Sequence, residues 1–348
     1  MDPLNVRKVR ILQAIVNDYV LTTKPVGSER LIEIYHIGCK SATVRNEMAE
    51  MAEMGYLIQP HTSAGRIPTD RGYRYYVDVL MDPPKALDDA DVQQAQAGAP
   101  QGASEIEEII AQTCRVLTGL TSYVSLATDP DTDSTRVRHV YLSPATPRHV
   151  LLVMLLSTGH VEHRLVELET VPNEAMLMRL SNYLNTLSGD LELAQVERTV
   201  RTPEVPTELM AFSAVLGRLT AAVAQMANSL SERRVFLEGT SQLLRQPEFQ
   251  DVQRLETLLN ALESRSALYE ALRRALPNSE MSVQIGAENL FEPMRDCSLV
   301  ITSYRIGNRP AGYLGVVGPT RMNYDRAVAA VTLMAGNLSN LLTNLSAA

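Results

Sequence analysis

SATVRNEMAEMAEMGYLIQPHTSAGRIPTD, residues 41–70, places a helix pattern, a short strand and a polar loop in direct succession. The helix is predicted to begin at Ser41, whose hydroxyl can cap it, and to end at Gly55. Apolar side chains at helical spacing form its buried stripe: Val44, Met48 and Met51. The opposite, outward face consists of Ala42, Arg45, Asn46 and Ala49. This helix therefore presents an arginine and an asparagine to its surroundings on one side.

Two further helices are predicted ahead of this stretch. Residues 5–19 repeat apolar side chains every three or four positions, and a shorter helix over 28–34 precedes the turn His36-Ile37-Gly38-Cys39-Lys40. Two helices joined by a short glycine-containing turn form the unit whose second helix enters the major groove of DNA. On these helices alone, a three-helix packing unit without any DNA contact is an open alternative.

The polar loop at 59–68 follows the strand pattern Tyr56-Leu57-Ile58 and is punctuated by glycine and proline. It predicts a wing, a loop that projects from a hairpin beside the helices. We expect Gly65 to serve the geometry of the loop, and Thr69 or Asp70 to cap the next helix. Side chains that can contact phosphate or the minor groove are His61, Thr62, Ser63 and Arg66.

The composition is that of a chain with several folded units. With 348 residues, of which 45% are hydrophobic, the chain can form two or three cores. The cysteines Cys39, Cys114 and Cys297 have neither disulfide nor metal-ligand spacing, which fits a reducing cytosol. The N-terminal residues lack the apolar run of a signal peptide, and no stretch approaches the ~18 uninterrupted apolar residues of a membrane span. We therefore expect a cytoplasmic protein with no metal site and no membrane segment.

The charge balance differs along the chain. The net charge is −8, yet residues 1–82 carry ten basic and ten acidic residues, so all of the excess acid lies beyond them. Phosphate binding would therefore depend on a local cluster of cations and not on a basic domain.

Beyond the N-terminal unit, the pattern is α+β. Residues 83–104 are rich in Ala, Gln, Gly and Pro and predict a flexible linker. Strand patterns lie at 123–128, 137–142, 149–156, 161–168, 281–286, 298–306 and 310–317. Helix patterns lie at 105–117, 173–188, 206–229, 251–276 and 323–342. A helical segment thus separates two groups of strands.

Several stretches carry a resemblance. The longest runs from Ser41-Ala42-Thr43-Val44-Arg45-Asn46-Glu47-Met48 through Gly55-Tyr56-Leu57 to the loop and Thr69. Others are Leu237-Glu238-Gly239 with Pro247-Glu248-Phe249, Ile285-Gly286 with Glu288-Asn289, and the segment from Gly315 to Tyr324. In these stretches the chain resembles the heat-inducible transcription repressor family called HrcA. The linker is the clearest departure from the family pattern.

The resemblance implies a division of the chain and a function. The implied parts are a winged helix-turn-helix DNA-binding domain at 1–82, the linker at 83–104, a GAF-like α+β domain at 105–170 and 251–348, and an inserted dimerisation subdomain at 171–250. The implied function is repression of chaperone operons by a homodimer that binds double-stranded DNA at the CIRCE inverted repeat. The GroEL chaperonin would maintain the folded repressor, and heat would divert the chaperonin to other clients. A two-fold dimer meets both halves of a palindrome on matched faces.

The DNA-binding residues follow from this combined interpretation. Arg45 and Asn46 are the candidates for base reading, because arginine pairs with guanine and asparagine with adenine through two hydrogen bonds each. Ser41 and Thr43 lie near the positive end of their helix and suit phosphate contacts, although Ser41 can equally be only the N-cap. Contacts to the DNA backbone or minor groove are expected from Lys40, His61, Thr62, Ser63 and Arg66.

Two other classes of function have less support. No enzyme and no cofactor are expected, because His160 and His163 point to opposite faces of a strand and the glycines at 312, 315 and 318 lack the spacing of a phosphate-binding loop. A metabolite-sensing GAF-type transcriptional regulator stays open, since GAF-like folds often hold ligands and sensing can coexist with DNA binding. A thermal-shift screen against metabolites would separate the two.

Overall fold

The computed structural model describes residues 4–62, 64–81, 87–97, 106–130, 135–157, 159–201, 205–231, 234–276 and 281–347. Its helices are α1 (Val6–Thr22), α2 (Ser28–Tyr35), α3 (Ser41–Glu53), α4 (Asp70–Tyr75), α5 (Asp89–Ala97), α6 (Ile106–Thr121), α7 (Glu174–Ser188), α8 (Leu193–Arg201), α9 (Ser213–Ser231), α10 (Val252–Glu263), α11 (Arg265–Ala275) and α12 (Tyr324–Ala347). Its strands are β1 (Leu57–Ile58), β2 (Ile67–Pro68), β3 (Val124–Thr128), β4 (Val137–Thr146), β5 (His149–Leu156), β6 (Val161–Glu167), β7 (Val235–Glu238), β8 (Met281–Ile285), β9 (Cys297–Ile306) and β10 (Arg309–Pro319). We call residues 4–81 the head, 87–130 with 234–347 the body, and 135–231 the insert. The predicted α+β class is confirmed.

The head consists of three helices followed by a two-stranded antiparallel hairpin and a further helix. Asn5 caps α1 by accepting a backbone hydrogen bond at 2.9 Å, and Thr69 caps α4 in the same way at 3.1 Å. After α4 the chain continues as one π-helical turn, Tyr76–Leu80. The order of elements in the head is the one that the sequence predicts.

The body is built on a five-stranded antiparallel sheet with the order β7-β3-β10-β9-β8. Helices α6 and α12 cover one face, and α10 and α11 cover the other. Successive residues of β9 show the alternation: Val300 and Tyr304 lie in the core beneath α12, whereas Leu299 and Ile301 lie in the opposite core. Both faces of this sheet are therefore buried. The core beneath α12 is continuous with the core of the head.

The insert is a three-stranded meander, with the order β4-β5-β6, packed against α7, α8 and α9. Strand β5 alternates between buried and half-buried side chains. Its inward residues Val150, Leu152 and Met154 pack with leucines of α7 and α9 in a hydrophobic core of their own. The insert is thus a separate packing unit.

The hydrophobic cores divide the chain at other points than the predicted boundaries. The prediction placed 105–170 in the GAF-like domain and 171–250 in the insert. Instead, β4–β6 share a core with α7–α9, because the inward face of β5 is covered by the helices that follow it in the chain. Strand β7, which no sequence pattern predicted, lies within 171–250 yet pairs with β3 in the body sheet. The chain therefore leaves and re-enters the body at two neighbouring strands.

The predicted linker contains a helix that is fixed to the body. Asp91 of α5 accepts hydrogen bonds at 2.8 and 2.7 Å from two guanidinium nitrogens of Arg326, and these bonds hold the pKa of Asp91 below its ordinary value. Ala95 is buried. A flexible linker is therefore wrong for residues 87–97, since an ion pair with a residue 235 positions later orders them. The remaining residues of the predicted linker, 83–86 and 98–104, lie outside the described residues.

The free edge of β4 is partly closed by α7. The side-chain amide of Asn185 donates to the carbonyl oxygen of Val140 and accepts from its N–H, both at 2.8 Å. Ser181 donates to the same carbonyl oxygen at 2.6 Å. These side chains make the bonds that a further strand would otherwise make at this position.

Two stretches, Thr207–Leu230 and Tyr324–Leu345, are long and apolar enough to cross a membrane by length and composition alone. Each buries one side in a hydrophobic core, with Leu219 and Val223 in the insert and Val331 and Leu338 in the body. Both stretches therefore act as core helices of their units.

Candidate nucleic-acid interface

Helices α2 and α3 meet at a tight turn that leaves one side of α3 uncovered. His36, at the end of α2, has a left-handed φ of 49°, and Ile37 is buried beneath the turn. The inward residues of α3 are those that the spacing predicts: Val44, Met48 and Met51. Its outward residues are the exposed Ala42, Arg45 and Asn46 and the half-buried Ala49.

Ser41 does not cap α3. Lys40 occupies the N-cap position without a capping side-chain bond, and Ser41 is the first residue of the helix. The Oγ of Ser41 lies 2.9 Å from the Oγ of Ser28, the first residue of α2. The predicted N-cap is therefore wrong, because this hydroxyl instead ties α2 to α3.

The loop between β1 and β2 is held at its base. Val26 and Arg66 exchange two backbone hydrogen bonds, both of 2.9 Å. A Cβ at Gly65 would lie 2.3 Å from the carbonyl oxygen of Val26, so only glycine fits at this close approach. The side chain of Gln59 donates to two carbonyl oxygens of the loop, each at 2.9 Å. The loop is therefore anchored to the segment between α1 and α2.

A groove of about 470 Å³ lies between α2, α3 and this loop. Three predicted site residues line it together: Arg45 from α3, and Thr62 and Arg66 from the loop. Ser28 and Gln59 also line it and were missed by the sequence analysis; the only signal for Gln59 was its place in the polar loop. The groove also receives one carboxylate, Glu29. Predicted residues that do not line the groove are Lys40, Ser41, Thr43, Asn46 and His61, and Ser63 lies outside the described residues.

The buried acids of the head are neutralised by pairs that do not line the groove. Asp18 accepts hydrogen bonds of 2.6 and 2.8 Å from Arg30, and these bonds raise the pKa of Arg30. Glu47 lies 3.1 Å from a guanidinium nitrogen of Arg7 and 3.2 Å from the ammonium of Lys8.

The cations at the groove are not paired in this way. Within the part of the chain that the structure describes, the guanidinium groups of Arg45 and Arg66 have no ion-pair partner. The groove therefore offers two positive charges to an anionic partner although the head as a whole has no excess of basic residues.

Two other kinds of site, a metal site and a phosphate-binding glycine loop, were also considered. The described residues contain no group of three or more His, Cys, Asp or Glu side chains that could hold a metal ion. Gly312 and Gly315 lie in β10, where the ring of Tyr304 and the carbonyl oxygen of Val300 come within 2.7 Å of where a Cβ would stand. These glycines therefore serve close strand packing.

Comparison with known proteins gives a consistent result. A family model described as HrcA protein C terminal domain matches residues 107–328. The heat-inducible transcription repressor HrcA of Moorella thermoacetica is 37% identical over 343 residues, covering 97% of this chain and 98% of the relative. The protein of the same name from Desulforamulus reducens is 35% identical over 341 residues, covering 97% of each. A hypothetical protein with a crystal structure at 2.2 Å resolution has the same overall fold, with a TM-score of 0.72 at 23% identity over 99% of this chain and 100% of that chain.

Proposed function

Because the chain belongs to the HrcA family of heat-inducible transcription repressors, we propose that it represses transcription by binding an inverted-repeat DNA operator as a homodimer. The groove that joins Arg45 of α3 to Arg66 of the loop is the observation that best supports the proposal. Arg45 and Arg66 lie on a helix and on a flanking loop, the two kinds of element with which a winged DNA-binding domain contacts DNA.

We interpret the head as a winged helix-turn-helix. In this arrangement α3 enters the major groove, where Arg45 and Asn46 read guanine and adenine. The loop between β1 and β2 is the wing, and its His61, Thr62, Ser63 and Arg66 contact phosphate or the minor groove. Lys40, Ser41 and Thr43, at the N-terminal end of α3, contact the DNA backbone.

We further propose the regulatory setting that the family resemblance implies. The operator is of the CIRCE type, upstream of chaperone operons, and the body corresponds to the GAF-like domain. The repressor works in the cytoplasm, and the GroEL chaperonin keeps it folded until heat occupies the chaperonin elsewhere. A change of about 1–2 kcal/mol in folding stability alters functional abundance several-fold, so modest help from a chaperonin suffices for such control.

The homodimer is proposed to form through the outward face of the β4–β6 sheet. A solvent-facing side of an antiparallel sheet is normally polar. Here the paired outward residues Leu151 and Leu165 and the pair Leu155 and Val161 lie on either side of the pair Val153 and His163, and Leu165 is 57% exposed. Tyr141 continues the patch on β4 and is 52% exposed. A contiguous apolar patch of this kind marks a protein interface, and a second copy of the same face complements it.

Operator binding is tested by fluorescence anisotropy with a labelled CIRCE-type inverted repeat and a scrambled duplex, across a salt series, with and without chaperonin. We expect preferential, salt-sensitive binding to the repeat and a larger active fraction with chaperonin. Equal binding of both duplexes by a folded dimer would contradict the operator assignment.

Three arginine variants separate base reading from backbone contact. Arg45→Ala should weaken binding of the repeat by about 5- to 150-fold and relax its sequence preference. Arg66→Ala should weaken binding of both duplexes alike and reduce the salt slope by about one. Arg179→Ala, which removes an exposed arginine of the insert, is the control and should change neither. If Arg45→Ala and Arg66→Ala both bound like the wild type, this placement of the head on DNA would be wrong.

The dimer surface is tested by light scattering after size exclusion. Leu165→Glu puts a charge on the outward face of the insert and should yield monomers at concentrations where the wild type is dimeric. Leu244→Glu, at a residue of the body that is 66% exposed, should leave the dimer intact. A dimeric Leu165→Glu variant would place the interface elsewhere.

A further inference from the structure

We propose that the body sets the angle at which the head meets DNA, through a polar clamp that fixes the half-site separation the dimer accepts. The clamp consists of Asp70 and Arg74 on α4 and of the turn Gly286–Glu288 that follows β8. This inference rests on the proposed operator binding by a homodimer and assigns the clamp residues a positioning role in it.

The first half of the clamp is a forked ion pair. Nε of Arg74 donates to Oε1 of Glu288 at 2.9 Å, and a second guanidinium nitrogen donates to the other carboxylate oxygen and to the carbonyl oxygen of Val283. The hydrogen bonds that Arg74 donates to Glu288 raise the pKa of Arg74 above its ordinary value. Two parallel bonds between a planar guanidinium and a planar carboxylate restrict orientation as well as distance. The pair therefore resists rotation of the head against the body.

The second half of the clamp is a hydrogen bond between the carboxylate of Asp70 and the backbone of the turn. Oδ2 of Asp70 accepts a hydrogen bond from the N–H of Ala287 at 3.0 Å. Gly286 has a left-handed φ of 53°, and a Cβ there would lie 2.1 Å from Oδ2 of Asp70. Glu288 also accepts from the N–H of Ile285 at 2.9 Å, which closes the turn on itself. The turn is thus shaped to receive α4.

The head also meets the body at α12. The hydroxyl of Tyr76 donates to Oδ2 of Asp325 at 2.5 Å. Beside it, the rings of Tyr73 and Tyr324 contact each other with centroids 5.7 Å apart. Tyr73, Tyr76 and Tyr324 all belong to the continuous core of head and body.

A third contact is made at the end of α1. Arg321 donates to the carbonyl oxygen of Val20 at 3.3 Å and is itself held by Glu248 and by Gln246, the latter at 2.9 Å. The head is therefore attached through α1, through α4 and through the π-helical turn. Contacts on three separate elements define the orientation of one rigid unit on another.

Three of the four body segments that carry the family resemblance lie at this junction, whereas Leu237-Glu238-Gly239 lies in and directly after β7, away from the head. Pro247-Glu248-Phe249, Ile285-Gly286 with Glu288-Asn289, and the segment ending at Tyr324 all lie at this junction.

The angle of the head decides which operators a dimer can bind. One base pair changes the separation of two half-sites by about 3.4 Å and rotates one against the other by about 35°. Two rigidly held heads therefore accept one separation, whereas loosely held heads accept several. The clamp should determine spacing preference without changing how a single head binds a half-site.

The experiment measures binding to inverted repeats whose half-sites are moved apart one base pair at a time, together with a single half-site duplex. The full-length variants are Arg74→Glu, Glu288→Arg, the double variant with both changes, and Tyr76→Phe at the independent contact. Glu292→Arg is the matched control, because Glu292 is exposed and its pair, Arg295, lies in the same segment of the body. Circular dichroism melting verifies that each protein is folded.

We expect the wild type and Glu292→Arg to bind one separation at least tenfold more tightly than the next. Each single charge reversal should reduce this ratio to below threefold with less than twofold change at the half-site, and Tyr76→Phe should reduce it by a smaller factor. The double variant should regain a ratio above fivefold, which a merely destabilising effect would not do. If Arg74→Glu, Glu288→Arg and Tyr76→Phe all kept a sharp preference for one half-site separation, this inference would be overturned, but the proposed operator binding would stand. Equally tight binding of all separations by the wild type would also overturn this inference and leave operator binding intact, whereas failure to bind any of the repeats more tightly than a scrambled duplex would overturn the proposed operator binding and the inference with it.

Discussion

The head and the insert both join the body, but by different means. The head shares a hydrophobic core with the body and is tied to it by hydrogen bonds at three of its elements. The insert has a core of its own and joins the body where the chain passes between β3 and β7, near the ion pair of Arg234 with Glu107. The difference indicates that the orientation of the head is set by the body, whereas the insert can unfold without the rest of the molecule.

The largest effect is expected from a substitution that creates a cavity in the core of the insert. Leu152 is fully buried in the middle of β5, so Leu152→Ala should destabilise the insert by about 2–5 kcal/mol. Hydrogen exchange followed by mass spectrometry should show faster exchange in β4–β6 and α7–α9, with unchanged protection in the head. Leu314→Ala, in the core shared by head and body, should instead accelerate exchange in both of those units. Faster exchange in the head of Leu152→Ala would contradict the independence of the insert.

The next effect concerns the attachment of the head. Gly286→Ala imposes a left-handed φ on alanine and drives its Cβ into the carboxylate of Asp70, for an expected loss of about 2–3 kcal/mol. Gly307→Ala is the control, because Gly307 has a φ of 59° but no atom within 4 Å of the new Cβ, so only the backbone strain remains. Exchange at α4 should be faster in the first variant alone. Equal exchange at α4 in the two variants would mean that the contact between Asp70 and the Gly286–Glu288 turn contributes nothing to the docking of the head.

A smaller effect is expected where the insert joins the body. Burial raises the pKa of Asp129 to about 6, with Arg234 opposing the shift and Glu107 adding to it. Because the folded pKa exceeds the unfolded value, the ionised carboxylate destabilises the folded protein. This penalty is absent below about pH 4, grows as the pH rises to about 6, and is complete above that. Asp129→Asn should therefore stabilise the protein by about 1–2 kcal/mol at pH 7.5 and hardly at all at pH 4, as measured by urea unfolding. Asp296→Asn, at an exposed carboxyl, serves as the control, and an equal gain at both pH values would refute the argument.

The smallest changes in stability are expected from two tyrosine hydroxyls at the head–body junction. Among the described residues, the buried hydroxyl of Tyr73 finds no hydrogen-bond partner, while its ring contacts Tyr324. Tyr73→Phe should therefore leave stability unchanged or raise it by up to about 1 kcal/mol. Tyr76→Phe, which loses the bond to Asp325, should lower it by about 1 kcal/mol. Thermal unfolding of both variants checks the contrast, and a destabilised Tyr73→Phe variant would reveal a partner for that hydroxyl.

Local patterns predicted the elements whose burial follows from their own periodicity. The two faces of α3 could be derived from the spacing of Val44, Met48 and Met51. Helix α5 could not, because its order depends on Arg326, which is far away in the chain. The predicted helix over 251–276 divides into α10 and α11 at Ser264, whose φ of −74° and ψ of 76° are not helical, although leucines continue at helical spacing on both sides.

In the candidate site, too, contacts between residues far apart in the chain could not be predicted. Residue chemistry alone selected Arg45 and Arg66, and the groove brings them together. It could not reveal that the hydroxyl of Ser41 is occupied by Ser28, since this contact depends on how α2 crosses α3. Nor could any local pattern connect Asp70 and Arg74 to a turn more than two hundred residues later.

That distance along the chain also sets an order in time. Arg74 is separated from Glu288 by 214 residues, and Val20 from Arg321 by 301. At about 5–20 residues per second, a ribosome delivers these partners roughly 10–60 s after the head has emerged. Throughout that interval, the side of the head that bears Tyr73 and Tyr76 is without its cover. Each new molecule therefore exposes, while it is being made, an apolar and aromatic surface that the finished fold buries, and the head can dock only after the synthesis of the chain is nearly complete.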